Sequence, residues 1–338
     1  RMKVYQLPLG TPQARGKALV NLLPLEQDES ISVYMRLPED EDEWDGLDIM
    51  FATSHGSVRR NKLSDFKNIR SNGLIAMKLG EGESLVSVRL CEGEHDDVLL
   101  ATKKGKAIRF RATDIRVFAG RNSTGVRGVK LAKDDEVISM SILKHVDITP
   151  EERDAYMKAA SQVVGSNDED YDYPETDMEL SEERFNELLE KEQLLLTVSE
   201  GGFGKRTSSY EYRVTGRGGQ GVVNMALTKK NGNAVAATFP VTDDHQIMLV
   251  TDKGKLIRTH VNTIRTTGRS AQGVTIFKVG SDERVVSVAW LVEDQDEEAE
   301  LEGVDSDELE AGADTDTEAL EQNTEQGEDV QQEDGDEQ

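Results

Sequence analysis

Arginine and lysine recur in clusters whose spacing suits the grip of a polyanion. One series holds Arg59, Arg60 and Lys62, then Lys103, Lys104, Lys106, Arg109 and Arg111, then Lys205, Arg206 and Arg213, then Lys253, Lys255, Arg258 and Arg265. A second series, Arg15, Lys17, Arg70, Arg121, Arg127, Arg217 and Arg269, flanks single glycines at 16, 73, 125, 221 and 273. Glycine lets backbone amides approach an anion closely, and it equally supplies the positive φ of a tight corner. No bond-making constellation accompanies these cations. The five histidines, at 55, 95, 145, 245 and 260, have no second ligand at metal spacing, and Cys91 has no CxxC partner. No GxSxG or P-loop pattern is present. No catalytic or metal-ligating residue is expected, and acidic runs that could hold divalent ions loosely are ordinarily just solvated.

The elements that must carry the first series repeat. Segment 249–264 (LVTDKGKLIRTHVNTI) is an apolar alternating run, a Lys-Gly turn and a second run. Its pattern returns at 51–66, 100–115 and, one residue longer, 196–212. Each reads as a β-hairpin. The glycine boxes lead into apolar strands at 13–23, 70–79, 121–131, 217–227 and 269–279. An acidic turn and strand follow at Asp28, Glu83, Asp135 and Asp282, with a neutral version at Asn233. Four short strands per period of about fifty residues make a propeller-type blade. Repetition then puts a cationic cluster on the same rim of every blade. Lysine on a hairpin edge also serves merely to block aggregation. Four such hairpins in one basic body favour the anion-binding reading.

The whole chain of 338 residues carries 66 acidic and 40 basic residues, a net charge of −26. That total hides an asymmetry. Residues 291–338 hold 22 acids and no Lys or Arg, and 145–192 hold 16 acids and 4 bases. The remainder holds 28 acids and 36 bases, a basic body with two acidic attachments. Such a division points to nucleic-acid contact with an acidic competitor.

Segment 145–192 interrupts the repeat, since the box glycines are 57, 52, 96 and 52 residues apart. Thr149-Pro150-Glu151-Glu152 predicts one helix start and Ser181-Glu182-Glu183 another, with Phe185, Leu188 and Leu189 on one face. The insertion reads as a solvated excursion whose middle, 165–176, is flexible. The tail 293–338 lacks apolar bulk and is expected to be disordered. The single cysteine precludes an internal disulfide and fits a cytoplasmic location. No run is apolar enough to span a membrane.

Several stretches resemble a known family: MKVYQLP at the start, VNLLPLEQDE at 20–29, TGVRGVKL at 124–131 and QIMLVTDKGKLIRT at 246–259. They resemble the C-terminal DNA-wrapping domain of the type IIA topoisomerase gyrase, over nearly all of 1–292 except the insertion. The corresponding domain of topoisomerase IV is the runner-up, and a protein-interaction propeller is the reading from a different class.

The resemblance implies an all-β, propeller-like β-pinwheel with strands exchanged between blades, and a rim that wraps duplex DNA so that the full enzyme introduces negative supercoils. It implies ATP and Mg2+ bound elsewhere in that enzyme, none for this segment, and partnership with the rest of gyrase A and with gyrase B in a heterotetramer. The family's hallmark box Q-R-R-G-G-K-G is not in this sequence. Residues 13–17 fit a second blade's degenerate box, and the family's active-site tyrosine lies upstream. About five recognisable blades and a partial first one are therefore expected over 1–292, interrupted at 145–192.

Overall fold

The structure, a computed structural model, describes residues 1–11, 15–25, 29–70, 72–164 and 176–292. Its repeating unit begins with a hairpin: β1 (Asp48–Thr53) with β2 (Ser57–Lys62), followed by β3 (Leu85–Cys91). The second is β4 (Asp96–Thr102) with β5 (Lys106–Arg111), followed by a short β6 (Val126–Arg127) and β7 (Val137–Lys144). Two helices follow, α1 (Pro150–Val164) and α2 (Glu182–Glu190). The third hairpin is β8 (Leu194–Ser199) with β9 (Phe203–Ser208), then β10 (Val222–Val223) and β11 (Val235–Val241). The fourth is β12 (His245–Thr251) with β13 (Leu256–His260), then β14 (Val274–Thr275) and β15 (Val285–Val292).

A local hydrogen-bond motif sets all four turns. The amides of Gly56, Gly105, Gly202 and Gly254 donate to the carbonyls of Thr53, Thr102, Ser199 and Thr251 at 2.9–3.1 Å. The hydroxyls of those same four residues accept from the amides of Ser57, Lys106, Phe203 and Lys255.

The sheets do not follow chain order. The first reads β3-β1-β2-β6, the second β10-β5-β4-β7, the third β11-β8-β9-β14 and the fourth β13-β12-β15. The outer strand of each of the first three is thus donated by the next repeat. The donated segment enters through a glycine at positive φ. The φ values of Gly125, Gly221 and Gly273 are 92°, 73° and 78°. A Cβ at any of them would strike the backbone of the accepting strand, at Val58, Ala107 and Gly204 respectively. The box glycine is therefore explained by close backbone approach between repeats.

Successive sheets share apolar layers. Met50, Val58, Val98, Leu100, Phe110 and Met140 join the first to the second; Leu99, Leu143, Leu195 and Tyr212 join the second to the third; Leu196, Val241, Ile247 and Leu249 join the third to the fourth. Inner strands are also tied by hydroxyls, Ser87 to the Met140 carbonyl and Ser141 to that of Thr238.

Four sheets stand among the described residues, where about five blades were expected. Residues 1–7, where the partial first blade was expected, have no ladder to join and hold only a 3-10 turn at Val4–Gln6. The acidic-turn strand after Asp28 is likewise not paired, although Val33, Met35 and Leu37 pack beside buried Trp44 on the first sheet's core. The expectation of a disordered tail at 293–338, and most of that for 165–176, lies outside the described residues.

The insertion departs from the solvated excursion expected of it. Both starts form as the sequence predicts: Thr149 and Glu152 cap reciprocally, and the Ser181 hydroxyl accepts from the Arg184 amide. Tyr156, Leu188 and Tyr210 then make a buried contact with the rings of Tyr156 and Tyr210 edge-on at 5.2 Å. Leu189 points outward instead of sharing the face of Leu188.

Glu192 closes the junction, accepting from the Tyr156 and Ser208 hydroxyls. Burial raises its pKa above the ordinary carboxylate range, outweighing both hydroxyl donors. A folded-state pKa above the unfolded one means that this contribution to stability is complete at low pH and is lost as pH rises through the folded value. Glu192→Gln should therefore raise the thermal midpoint relative to wild type more at pH 8 than at pH 4. A difference that does not change with pH would refute this.

Candidate nucleic-acid interface

The predicted cations divide into buried and exposed sets. The arginine four residues after each turn glycine recurs as Arg60, Arg109, Arg206 and Arg258. Arg109 is 4% exposed, 2.8 Å from the fully buried Asp97 carboxylate, and donates to the Ser209 carbonyl. Arg60 is buried against Asp48. Arg206 binds Asp243, and exposed Arg258 donates to Gln246. Asp48, Asp97 and Gln246 each stand twelve residues before their arginine. Lys205 is buried with its ammonium on the Gly268 carbonyl, and Arg59 is buried as well. These positions correct the expectation of a rim contact for Arg59, Arg60, Arg109 and Lys205: their strand places the side chain inside the blade.

The hairpin lysines are partly neutralised by the recurring acidic turn. Lys103 pairs with Glu136 and Lys255 with Glu283, both at 2.8 Å, whereas Lys62 pairs at 2.9 Å with Asp48 at the start of β1. Lys255 above all, with the Thr251 hydroxyl, holds the Glu283 carboxyl at about 2. The acidic turn thus caps the hairpin of its own sheet. Lys104 and Lys253 are exposed at the turns, and Lys106 is half-buried.

The cations of the donated segments form the more exposed set. Arg121 donates to the Asp65 carbonyl, Arg217 to those of Asp114 and Arg127, and Arg269 to that of Val223. Each arginine clasps the backbone of the preceding repeat while its charge remains at the surface. Arg127 and Arg213 are exposed. Among the described residues no carboxylate lies within ion-pair distance of Arg121, Arg127, Arg213 or Arg217.

Each outer edge therefore carries a file of cations that the hairpins do not supply. Exposed Arg116 and Lys130 belong to the first file and Lys278 to the third, and sequence reasoning passed over all three. Two registers mark them: Arg116, Arg213 and Arg265 each follow the last apolar residue of a hairpin, and Lys78, Lys130 and Lys278 each stand five residues after a box glycine. Arg70 is exposed on the box of Gly73, and Arg15 and Lys17 are exposed on an N-terminal segment with no strand.

Four segments, 47–92, 96–144, 193–242 and 245–289, match the family model described as DNA gyrase C-terminal domain, beta-propeller. The chain belongs to that gyrase family. Each matched segment contains one of the four hairpins together with the inner strand of its sheet, the fourth ending within β15. The DNA gyrase A protein of Granulibacter bethesdensis is 52% identical over 308 residues, which cover 87% of this chain and 33% of that protein. The DNA gyrase A protein of Escherichia coli K12 is 36% identical over 88% of this chain and 28% of its own length.

The chain thus spans about a third of the length of the gyrase relatives it matches. Two solved structures share the fold at 22% identity. The C-terminal domain of DNA topoisomerase IV has a TM-score of 0.62, covering 85% of this chain and 75% of that one; the DNA gyrase A C-terminal domain has 0.59, covering 83% and 76%. No described helix is long and apolar enough to cross a membrane.

Proposed function

We propose that residues 1–292, interrupted at 145–192, bend duplex DNA along the cationic outer edges as the wrapping domain of gyrase A. The observation that supports this reading is the repeated file of uncompensated arginines on the donated segments, at Arg116, Arg121 and Arg127 and again at Arg213 and Arg217. Smooth bending of 20–30 bp costs on the order of 1–6 kcal/mol. Counterion release along many phosphates offsets it. The only described α-helices lie in the acid-rich insertion, so binding depends on the backbone and little on base sequence.

With 6–10 phosphates held, affinity should fall by roughly 10³–10⁵ between 50 and 200 mM salt. Electrophoretic or fluorescence titration over that range checks it, and a flat response sinks the reading. The alternative of a protein-interaction propeller predicts that flat response.

The relatives' name extends the proposal to the whole protein: a cytoplasmic enzyme in which gyrase A works with gyrase B, and ATP and Mg2+ act outside this segment. The same name favours gyrase over topoisomerase IV. The acidic tail competes with DNA for the edges at high effective concentration. Removing 293–338 should tighten duplex binding, and unchanged affinity would refute that role.

A further inference from the structure

Arg59 is fully buried on β2, yet no carboxylate among the described residues lies within ion-pair distance of it. Its Nη1 donates to the Ser123 carbonyl at 2.6 Å and hydroxyl at 2.7 Å, and its Nε to Asn61 at 2.8 Å. Its Nη2 has no partner. The guanidinium stands 4.6 Å from the centre of the Phe118 ring, and that of Arg116 stands 4.2 Å from the same centre. Arg121 completes the group.

Burial first, and then repulsion by Arg116 and Arg121, lowers the pKa of Arg59. Asp65 is the acid this cluster touches. Its carboxylate accepts weakly from Asn61 at 3.4 Å, and only its backbone carbonyl meets Arg121. Arg121 also lines an open notch of about 640 Å3 with Arg70, Asn72, Gly73 and Asn122.

The equivalent positions differ. In the second repeat Ile108 stands where Arg59 stands, and the buried arginine beside Arg213 is Arg109, whose charge Asp97 already pairs. In the third, Lys205 lies with Arg265 and Arg269, and there a carboxylate enters, Glu211 accepting from the Arg269 amide at 2.7 Å. The first edge alone gathers three guanidiniums with no acid paired to them among the described residues. Like charges held together in this way are costly until an anion arrives. A planar, aromatic-stacked arginine is a fitted receptor for phosphate oxygens.

We propose that Arg116 and Arg121, backed by the buried charge of Arg59, form a seat for one backbone phosphate of duplex DNA, the strongest single contact of the wrap, with Arg70 on the notch beside Arg121. The proposal rests on the duplex-binding reading above. Arg116 and Arg121 touch the phosphate. Arg59 is a positioning residue: it pins the Ser123 loop and adds its field from behind, and does not reach solvent. The Asn72 and Asn122 amides supply further donors at the notch.

The test compares the 338-residue chain with two double variants at about 100 mM salt. Arg116→Ala with Arg121→Ala should weaken duplex binding by about thirtyfold or more, whereas Arg213→Ala with Arg217→Ala should weaken it by about fivefold. Equal losses overturn the seat while leaving the wrapping reading intact. A wild-type chain that binds no duplex overturns the reading itself.

Arg59→Met should weaken binding by about tenfold, with Arg59→Lys recovering most of it at an unchanged thermal midpoint. If the lysine variant binds no better than the methionine variant, the buried charge has no part in the seat. Inorganic phosphate should not bind measurably below about 10 mM, since a free ion lacks the many further phosphate contacts of a duplex. Submillimolar uptake of inorganic phosphate with unaltered duplex affinity would reassign the cluster to a free anion and overturn the proposal.

Discussion

An Arg109→Met variant should lose about 3–5 kcal/mol of folding stability while its folded fraction binds duplex DNA as wild type does. Arg109 and Asp97 are both buried, 2.8 Å apart, with the guanidinium also donating to the Ser209 carbonyl. Removing the cation leaves Asp97 in the interior with His145 at 3.0 Å and Arg111 at 3.6 Å. Those neighbours compensate it only in part.

Burial lowers the Arg109 pKa in spite of Asp97, so desolvation outweighs the attraction. Replacing both partners, Arg109→Met with Asp97→Leu, should therefore recover much of the loss. Chemical denaturation of the single and double variants measures this, with duplex titration alongside. A single variant that keeps its stability but loses DNA would return Arg109 to the binding surface.

Gly221→Ala should be as damaging, for a different reason. Its φ of 73° already disfavours a side chain by roughly 1–2 kcal/mol. The new Cβ would also lie 2.8 Å from the Ala107 carbonyl carbon, closer still to its oxygen, and would pry β10 from β5. A total of about 3 kcal/mol or more is expected. Gly73 is the control. Its φ is 82°, but a Cβ there meets nothing within 4 Å. Gly73→Ala should lose only the backbone part, about 1–2 kcal/mol. Equal losses at the two sites would show that exchange packing is not what the glycine serves.

The hairpins and the helix starts were legible because their determinants are local: a turn glycine with Thr or Ser three residues before it, and Thr149 or Ser181 ahead of acids. The pairing of Val126, Val222 and Val274 with a different repeat was not legible in the residues themselves, and strand exchange entered only as what the family resemblance implies. Strand periodicity tells which face a residue takes, and is silent on which sheet receives the strand. The cations divide the same way. A basic count reads charge, whereas the burial of Arg60 and Arg109 depends on Asp48 and Asp97 across the hairpin. The constant twelve-residue interval was available as a clue. Arg116 and Lys130 belong to neither series, since Arg116 lies just past the hairpin and Lys130 five residues beyond the box glycine. The acidic turns were legible as the lead into a strand, but nothing local announces that Glu136 and Glu283 reach back to Lys103 and Lys255.

The donated strands also give the array a measure of length. Between the last apolar residue of a hairpin and the glycine that opens the donated strand, the chain has a fixed tether: from Ile115 to Gly125, from Tyr212 to Gly221 and from Ile264 to Gly273. An extended chain spans at most about 3.3–3.6 Å per residue. Each tether therefore caps how far one sheet can swing from the neighbour it completes. Arg121, Arg217 and Arg269 sit on those tethers. A change in spacing between repeats consequently displaces the phosphate contacts with it, and the pitch of a bound duplex becomes a property counted out in tether residues.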